Sequence, residues 1–440
     1  MNKLRKLLDT SFSLYYLRQL RKNQWKEPKE LKKIQLKRLK KLIKYAYYYV
    51  PYYHKLFVAA NIKPDDIKSF EDLKKIPMTS KQDVQKNFAD IMARGVDTSK
   101  LLFSVTSGST GVPLKVFSDH VTKRWAAAVT NYNLFERGVR LSDNFVTVWG
   151  RGAESIQWGK KYVRLWGGIS RTVVPLFPPS KLVNILRFIK PDVLDTYPSV
   201  LCTLANYGAS GIHPRIVFTG GEVVTQESRY ITKKTFGVEP FETYGSVEFG
   251  DMAFECDEHC GLHIITDSVF MEFVDEKGEY VSSGEQGEIV VTGLWNYVMP
   301  LIRYRIGDLG IPTDEKCPCG RNWPLIKSIQ GRINDYLVLR DGRKISYLYL
   351  QRVVFHKILR ENILAITQYQ IIQEKVDRII LKIVKGKEFN PEILERIKNG
   401  LENEFAKLGQ KIEVLSEIVN EIPMGRTGKR KLLISKVSQQ

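Results

Sequence analysis

Ser104-Val105-Thr106-Ser107-Gly108-Ser109-Thr110-Gly111-Val112-Pro113-Leu114-Lys115 packs five hydroxyls, two glycines and one lysine into a single segment after the apolar start at Phe103. A strand running into such a stretch predicts a loop built for anionic oxygens. Glycine permits close backbone approach, N–H groups and hydroxyls donate to phosphate, and lysine adds positive charge. The spacing is not Gly-x4-Gly-Lys-Ser/Thr, so the segment is no Walker A loop. Taken alone, a polar surface turn accounts for it equally well, because Ser/Gly clusters commonly mark loops. Its surroundings decide the matter.

Downstream, short apolar runs alternate with helical stretches. Phe145–Trp149, Val193–Tyr197, Ile216–Thr219 and Phe241–Tyr244 read as strands, with Lys181–Lys190 and Gln226–Phe236 as helices between them. That alternation predicts an α/β fold with mostly parallel strands. Beyond Asp251 the pattern turns β-rich: Val269–Val274, Gly287–Thr292 and Ile302–Tyr304, with a hairpin signal at Glu276–Lys277–Gly278. From Tyr336 a new unit begins: a strand at Leu337–Leu339, an Asp341–Gly342 turn, a helix near Tyr349–Leu359, then strands and the helix Pro391–Leu408. Paired strands with two helices predict a small α+β domain. The domain expectation is therefore a large part over 1–333, comprising a basic helical lead-in at 1–60 and a β-rich part at 251–330. A small part over 334–440 follows.

Upstream, the chain reads as helical to about Pro51 and ends in the aromatic run Tyr45–Tyr53. Helix and turn are expected over Phe70–Asn87, with Thr79 and Ser80 as cap. Lys26–Lys44 is crowded with lysine while Leu36, Leu39, Ile43 and Ala46 recur at helical spacing, the pattern of an amphipathic helix with a solvated basic face. Its main reading is structural, the apolar face packed on the body. A peripheral membrane contact is the other reading.

The 440 residues carry 68 Lys+Arg against 48 Asp+Glu, a formal net charge of +20, with 43% hydrophobic residues. That apolar content excludes general disorder, and the length suits two or three domains. No apolar run approaches the roughly 20 residues needed to span a bilayer. The basic start lacks a following apolar signal region, so a cytoplasmic protein is expected. The positive balance is compatible with polyanionic ligands, but no nucleic-acid-binding module accompanies it, and no nucleic-acid partner is expected. Four of the five cysteines fall between Cys256 and Cys319. In a cytosolic chain such clustering favours metal over disulfides. Cys256-Asp257-Glu258-His259-Cys260-Gly261-Leu262-His263 and Cys317-Pro318-Cys319-Gly320-Arg321 form two knuckle-like segments that can converge on one tetrahedral Zn²⁺.

Four further motifs follow the hydroxyl-rich loop in order: Thr243-Tyr244-Gly245-Ser246-Val247-Glu248, Tyr304-Arg305-Ile306-Gly307-Asp308, Gly331-Arg332, and Pro423-Met424-Gly425-Arg426-Thr427-Gly428-Lys429. Together they resemble the adenylate-forming superfamily of acyl-CoA synthetases, adenylation domains and luciferases. The aromatic Tyr45–Tyr53 lead-in resembles specifically the phenylacetate–CoA ligase-like family and its capsular-polysaccharide-associated branch. The resemblance implies activation of a small-molecule carboxylic acid by ATP and Mg²⁺ to an acyl-adenylate, then transfer to coenzyme A. It also implies site roles. Thr106, Ser107, Gly108, Ser109, Thr110, Gly111 and Lys115 would hold the β- and γ-phosphates. Glu248 would ligate Mg²⁺. Tyr244 and Gly245 would flank the adenine or the acyl group, with Ser246 beside them also cofactor-binding; Asp308 would take the ribose hydroxyls, and Arg332 would position ribose or phosphate. Lys429 would be the adenylation lysine, carried by a small domain that pivots near Asn334–Asp335. Glu222, in Gly220-Gly221-Glu222, would belong to an acyl-pocket segment, with Trp149 and Tyr197 as candidate walls. Matching cysteine positions in the family favour Cys256, His263, Cys317 and Cys319 as zinc ligands, with Cys260 or His259 as substitutes. Two other functions stay open: an adenylyltransferase that stops at AMP transfer, and a non-catalytic scaffold in surface polysaccharide assembly.

Overall fold

The computed structural model describes residues 3–106, 113–149, 161–162, 170–333, 335–350, 365–386, 388–423 and 431–437, with the backbone alone at 3–10, 161–162, 344 and 346–348. The chain divides into two compact units, one of 1–141, 163–170 and 241–329, the other of 142–162, 171–240 and 330–440.

The first unit opens with the helices Lys3–Asn23, Pro28–Tyr49 and Pro51–Ala59. Helical structure thus runs beyond the expected end at Pro51. The break falls at Val50, which Pro51 pushes into extended backbone (φ −113°, ψ 108°) before a fresh helix starts on the proline itself. Leu39, Leu42, Ile43 and Ala46 are buried in the main core with Tyr53 and Phe57, so the lead-in is integral to the fold. Ser80, not Thr79, caps the helix Lys81–Lys86, through a reciprocal box with Asp83. The helix His120–Glu136 is capped by Asp119, which accepts from the Thr122 amide at 2.8 Å.

An antiparallel sheet supports this unit. Phe241–Ser246 pairs with Gly250–Glu255, which pairs with Leu262–Ile264, which pairs with Leu325–Arg332. Val269–Val274, Gly287–Gly293 and Tyr304–Thr313 form a second run of antiparallel neighbours. The strand expected at Ile302–Tyr304 starts only at Tyr304, because Arg303 takes a left-handed turn (φ 47°).

In the second unit the strands Arg171–Pro175, Phe145–Trp149, Val193–Thr196 and Ile216–Gly220 lie parallel in that order, as the alternating pattern predicts. Helices Pro179–Ile189, Pro198–Asn206 and Gln226–Phe236 connect or follow them. The same unit holds a four-stranded sheet in the order Glu413–Ile418, Arg378–Lys385, Ile366–Lys375, Leu433–Ser435, with the helix Pro391–Lys407. Its core, from Leu337 to Leu433, includes Ile371, Leu381, Ile397, Leu401 and Phe405. The architecture is mixed α/β with a smaller α+β body. Among the described residues no helix is long and apolar enough to cross a membrane.

Candidate active site and metal centre

The hydroxyl-rich loop springs from a hairpin, Leu102–Val105 against Lys115–Ser118. Its mouth is closed by a reciprocal pair: the Thr106 amide donates to the Leu114 carbonyl at 2.9 Å, and the Leu114 amide donates to Thr106 Oγ1 at 2.8 Å. Thr106 is therefore engaged at the base of the loop. Ser107, Gly108, Ser109, Thr110 and Gly111 lie outside the described residues. Lys115 Nζ sits 3.9 Å from the Phe103 ring centre and 4.6 Å from that of Phe117, the geometry of a cation held between two π faces.

Two of the other motifs meet. The Tyr244 hydroxyl donates to Asp308 Oδ2 at 2.9 Å, and the Tyr304 hydroxyl donates to Glu248 Oε1 at 3.4 Å. Residues far apart in sequence thus place two carboxylates on one patch of the first unit. Gly245 is dictated by sterics: a Cβ there would stand 2.6 Å from the Gly250 carbonyl oxygen, where the hairpin bulges between Tyr244 and Gly245. Ser246 Oγ accepts from the Phe249 amide at 3.3 Å, tightening the turn that carries Glu248. Gly307 is left-handed (φ 79°) directly before Asp308, which is 9% exposed.

Several residues that sequence reasoning missed hold this patch. Thr79 pairs with the motif strand, its amide donating to the Arg303 carbonyl and its carbonyl accepting from the Arg305 amide, both at 2.9 Å. Tyr53 Oη accepts from the Ile302 amide at 2.8 Å. Buried Arg303 pairs with Glu272 at 3.0 Å and donates to the Ile76 carbonyl at 2.7 Å. Burial pushes the Glu272 carboxyl up, and Arg303 counteracts it. Arg305 donates to Glu288 at 3.0 Å. The one sequence signal for these pins was an arginine inside an otherwise apolar run.

Glu222 and Arg332 belong to the second unit. Glu222 accepts from the Ser199 amide at 3.1 Å and from Ser199 Oγ at 3.0 Å, satisfying an orphan N–H at the start of the helix Pro198–Asn206. Arg332 is exposed at the end of its strand. Tyr197, 2% exposed, packs its ring 4.7 Å from Trp149 within a hydrophobic cluster. Lys429 and Asn334 lie outside the described residues.

The cysteine segments do converge. Cys256 Sγ is 3.3 Å from Cys317 Sγ, and Cys319 Sγ is 3.4 Å from His263 Nε2. All four donor atoms lie within 4.8 Å of one another. Zinc bonds of about 2.3 Å to sulfur and 2.0 Å to nitrogen put tetrahedral donors about 3.5–3.8 Å apart, so this set can hold such an ion. It is too open for a Cys256–Cys317 disulfide, which needs about 2.05 Å. Cys260 is exposed, its thiol turned to the Glu258 carbonyl, and His259 Nδ1 lies 3.2 Å from a Glu255 oxygen. Burial, aided by Arg321, lowers the His263 pKa to about 4, leaving the neutral imidazole that ligation requires. Burial pushes the Cys256 thiol up. Around the cluster, Arg321 Nε donates to Gln24 Oε1 at 2.6 Å and the Asn322 amide to the Gln24 carbonyl at 2.9 Å, tying the second knuckle to the turn that follows the first helix.

Comparison with known proteins agrees with this geometry. The family model described as the CapK C-terminal domain matches residues 337–436. A phenylacetate–coenzyme A ligase of Thermus thermophilus is 29% identical over 407 residues, covering 85% of each chain. That of Escherichia coli K12 is 31% identical over 316 residues, 68% of this chain and 70% of the relative. Among solved structures, 2-hydroxyisobutyryl-CoA ligase in its postadenylation state superposes with a TM-score of 0.78 at 20% identity, covering 94% of this chain and 91% of the other. The chain belongs to the phenylacetate–coenzyme A ligase family of adenylate-forming, AMP-forming acid–thiol ligases, in the branch that carries the CapK-type C-terminal domain.

Proposed function

We propose that this protein activates a small carboxylic acid with ATP and passes the acyl group to coenzyme A. A carboxylate oxygen attacks the α-phosphorus, the bond to the bridging oxygen breaks, and pyrophosphate leaves. The coenzyme A thiolate then attacks the carbonyl carbon of the acyl-adenylate, and AMP departs with the electron pair. The observation that carries this reading is the meeting of the two motifs, Tyr244 on Asp308 and Tyr304 on Glu248.

In this reading Asp308, its position fixed by the Tyr244 hydroxyl, accepts hydrogen bonds from the ribose hydroxyls. Glu248, with hard oxygen donors, holds Mg²⁺, which supplies charge neutralisation along the triphosphate. Lys115 and the loop 106–111 take the outer phosphates. Arg332 steadies ribose or phosphate. Lys429 places its ammonium against the charge that builds between carboxylate and α-phosphorus. Removing such a contact costs about 3–4 kcal/mol of barrier. Glu222 serves by fixing the start of its neighbouring helix. Cys256, His263, Cys317 and Cys319 hold a structural zinc whose closed ligand set has no position for substrate.

The test is an acid library with ATP and Mg²⁺, following pyrophosphate and thioester with and without coenzyme A. Acid-dependent pyrophosphate plus a thioester is expected, with Lys429→Ala slowing adenylation by a factor on the order of 100–1000. Pyrophosphate with AMP left on the acceptor and no thioester would replace the ligase by an adenylyltransferase. No turnover with any acid would leave a scaffold.

A further inference from the structure

We infer that the outward face of the helix Pro28–Tyr49 docks the protein on an anionic phospholipid surface. This inference is independent of the reaction proposed above. The helix buries Leu31, Gln35, Leu39, Leu42, Ile43 and Ala46. On the opposite side Lys29, Lys33, Lys37, Lys40, Lys41 and Lys44 are all exposed. At 100° per residue these six positions fall within an arc of about 120°, and at 1.5 Å per residue they run about 22 Å along the axis. None of the six has a carboxylate within ion-pair distance among the described residues. The one acid of the helix, Glu30, is taken by Lys26. Lys41 Nζ also lies 5.7 Å from the Tyr297 ring centre. Tyr48 continues the same stripe toward the C-terminal end and is 57% exposed.

A row of uncompensated like charges held on a rigid core element destabilises itself unless a partner brings the opposite sign. The shape of the row selects that partner. It runs along the exposed side of one helix whose other side is buried in the core, so it matches a plane of negative headgroups. A backbone-tracking nucleic-acid site instead wants a groove and bidentate arginine, and the cations of this stripe are all lysine. Lysines with long apolar stems beside a tyrosine are the side chains that settle at a lipid–water interface. Each lysine near an anionic leaflet changes partition by about fivefold.

The experiment is co-sedimentation of the full chain with vesicles of phosphatidylcholine alone or with about one third phosphatidylglycerol, from low to high salt. The expected result is partition to the anionic vesicles only, weakening as salt screens the charges. The variant Lys33→Glu/Lys37→Glu/Lys40→Glu/Lys44→Glu should lose at least about 100-fold of that partition, and the corresponding Gln variant should lose less. Thermal melting checks that each variant keeps the fold. Equal binding to neutral vesicles, unchanged binding in a folded charge-reversed variant, or no partition at low salt would each overturn the inference. So would retention on duplex DNA at a salt concentration where the anionic vesicles no longer bind.

Discussion

Tyr244 and Asp308 are 7% and 9% exposed, and the hydrogen bond between them joins the strand Phe241–Ser246 to the strand Tyr304–Thr313. Tyr244→Phe removes a donor to a carboxylate while keeping the ring. A hydrogen bond to a charged group is worth about 1.5–3 kcal/mol. If Asp308 serves the ribose, the expected outcome is a KM for ATP raised about tenfold with kcat changed far less, read by steady-state kinetics. An unchanged KM would show that Asp308 needs no help from Tyr244. Gly245 makes a different kind of prediction. A methyl at this position meets the Gly250 carbonyl oxygen at 2.6 Å, backbone against backbone, so neither side can yield cheaply. Gly245→Ala should cost about 1–3 kcal/mol and lower the melting temperature by several degrees. Gly208→Ala, where the added Cβ meets nothing within 4 Å, would pay only for its left-handed backbone. A melting temperature lower for Gly208→Ala than for Gly245→Ala would refute the steric account.

At the scale of elements, the two cysteine knuckles are short, polar and poor in regular structure, and His263 sits in a strand of three residues. Such pieces gain little from backbone pairing, so a metal would carry much of their order. Chelation, or Cys317→Ser, should therefore lower the melting temperature. Metal held at about 1000 times its dissociation constant contributes about 4 kcal/mol, on the order of 4 °C for a chain of this size. The pH dependence follows from the free ligands. The thiols of Cys256 and Cys317 are pushed up by burial, whereas His263 stays neutral to about pH 4. Metal binding must displace thiol protons, so zinc affinity should fall steeply as pH drops from 7 to 5. His263→Cys should make that fall steeper, because it adds another proton to displace. Competition titration with a chromophoric chelator reads both. A pH-independent affinity would mean that the thiolates are not the ligands.

The elements also explain what could be read beforehand. Phe145–Trp149, Gln226–Phe236 and Val269–Val274 have the bounds that their periodicity predicts, because each lies between clear turn or cap residues. The hairpin Gly250–Glu255 with Leu262–Ile264 has no clear alternation in the sequence, since its strands carry Asp251, Glu255 and a buried histidine and its connection carries Cys256 and Cys260. The motif residues of the site were legible by their order along the chain. Their supports were not: Thr79, Glu272 and Arg303 act through pairings between distant segments, and a linear reading carries no signal for register between them. Arg303 in particular takes positive φ without being glycine, held there by its buried pair with Glu272.

On the scale of the whole chain, the hydrophobic cores bear on how the protein divides. Leu337, Ile371, Leu381, Ile397, Leu401, Phe405 and Leu433 belong to a cluster whose members all come from the stretch between Leu337 and Leu433. The parallel strands from Phe145 to Gly220 pack a separate cluster around Val146, Leu194, Leu201 and Phe236. Yet contact density groups both stretches in one unit. A core that recruits all its apolar side chains locally is the physical condition for independent folding. The fragment 334–440, expressed alone, should therefore melt in one cooperative transition with a heat-capacity change of about 1.3 kcal/mol/K, the value for roughly 100 residues. Its strand Ile366–Lys375 should be among the last amides to exchange, as it is central in the four-stranded sheet. If the fragment shows no transition by calorimetry, while a chain covering 142–240 joined to 330–440 does, the cooperative body is the larger unit, and the boundary at 333/334 divides a fold instead of separating two.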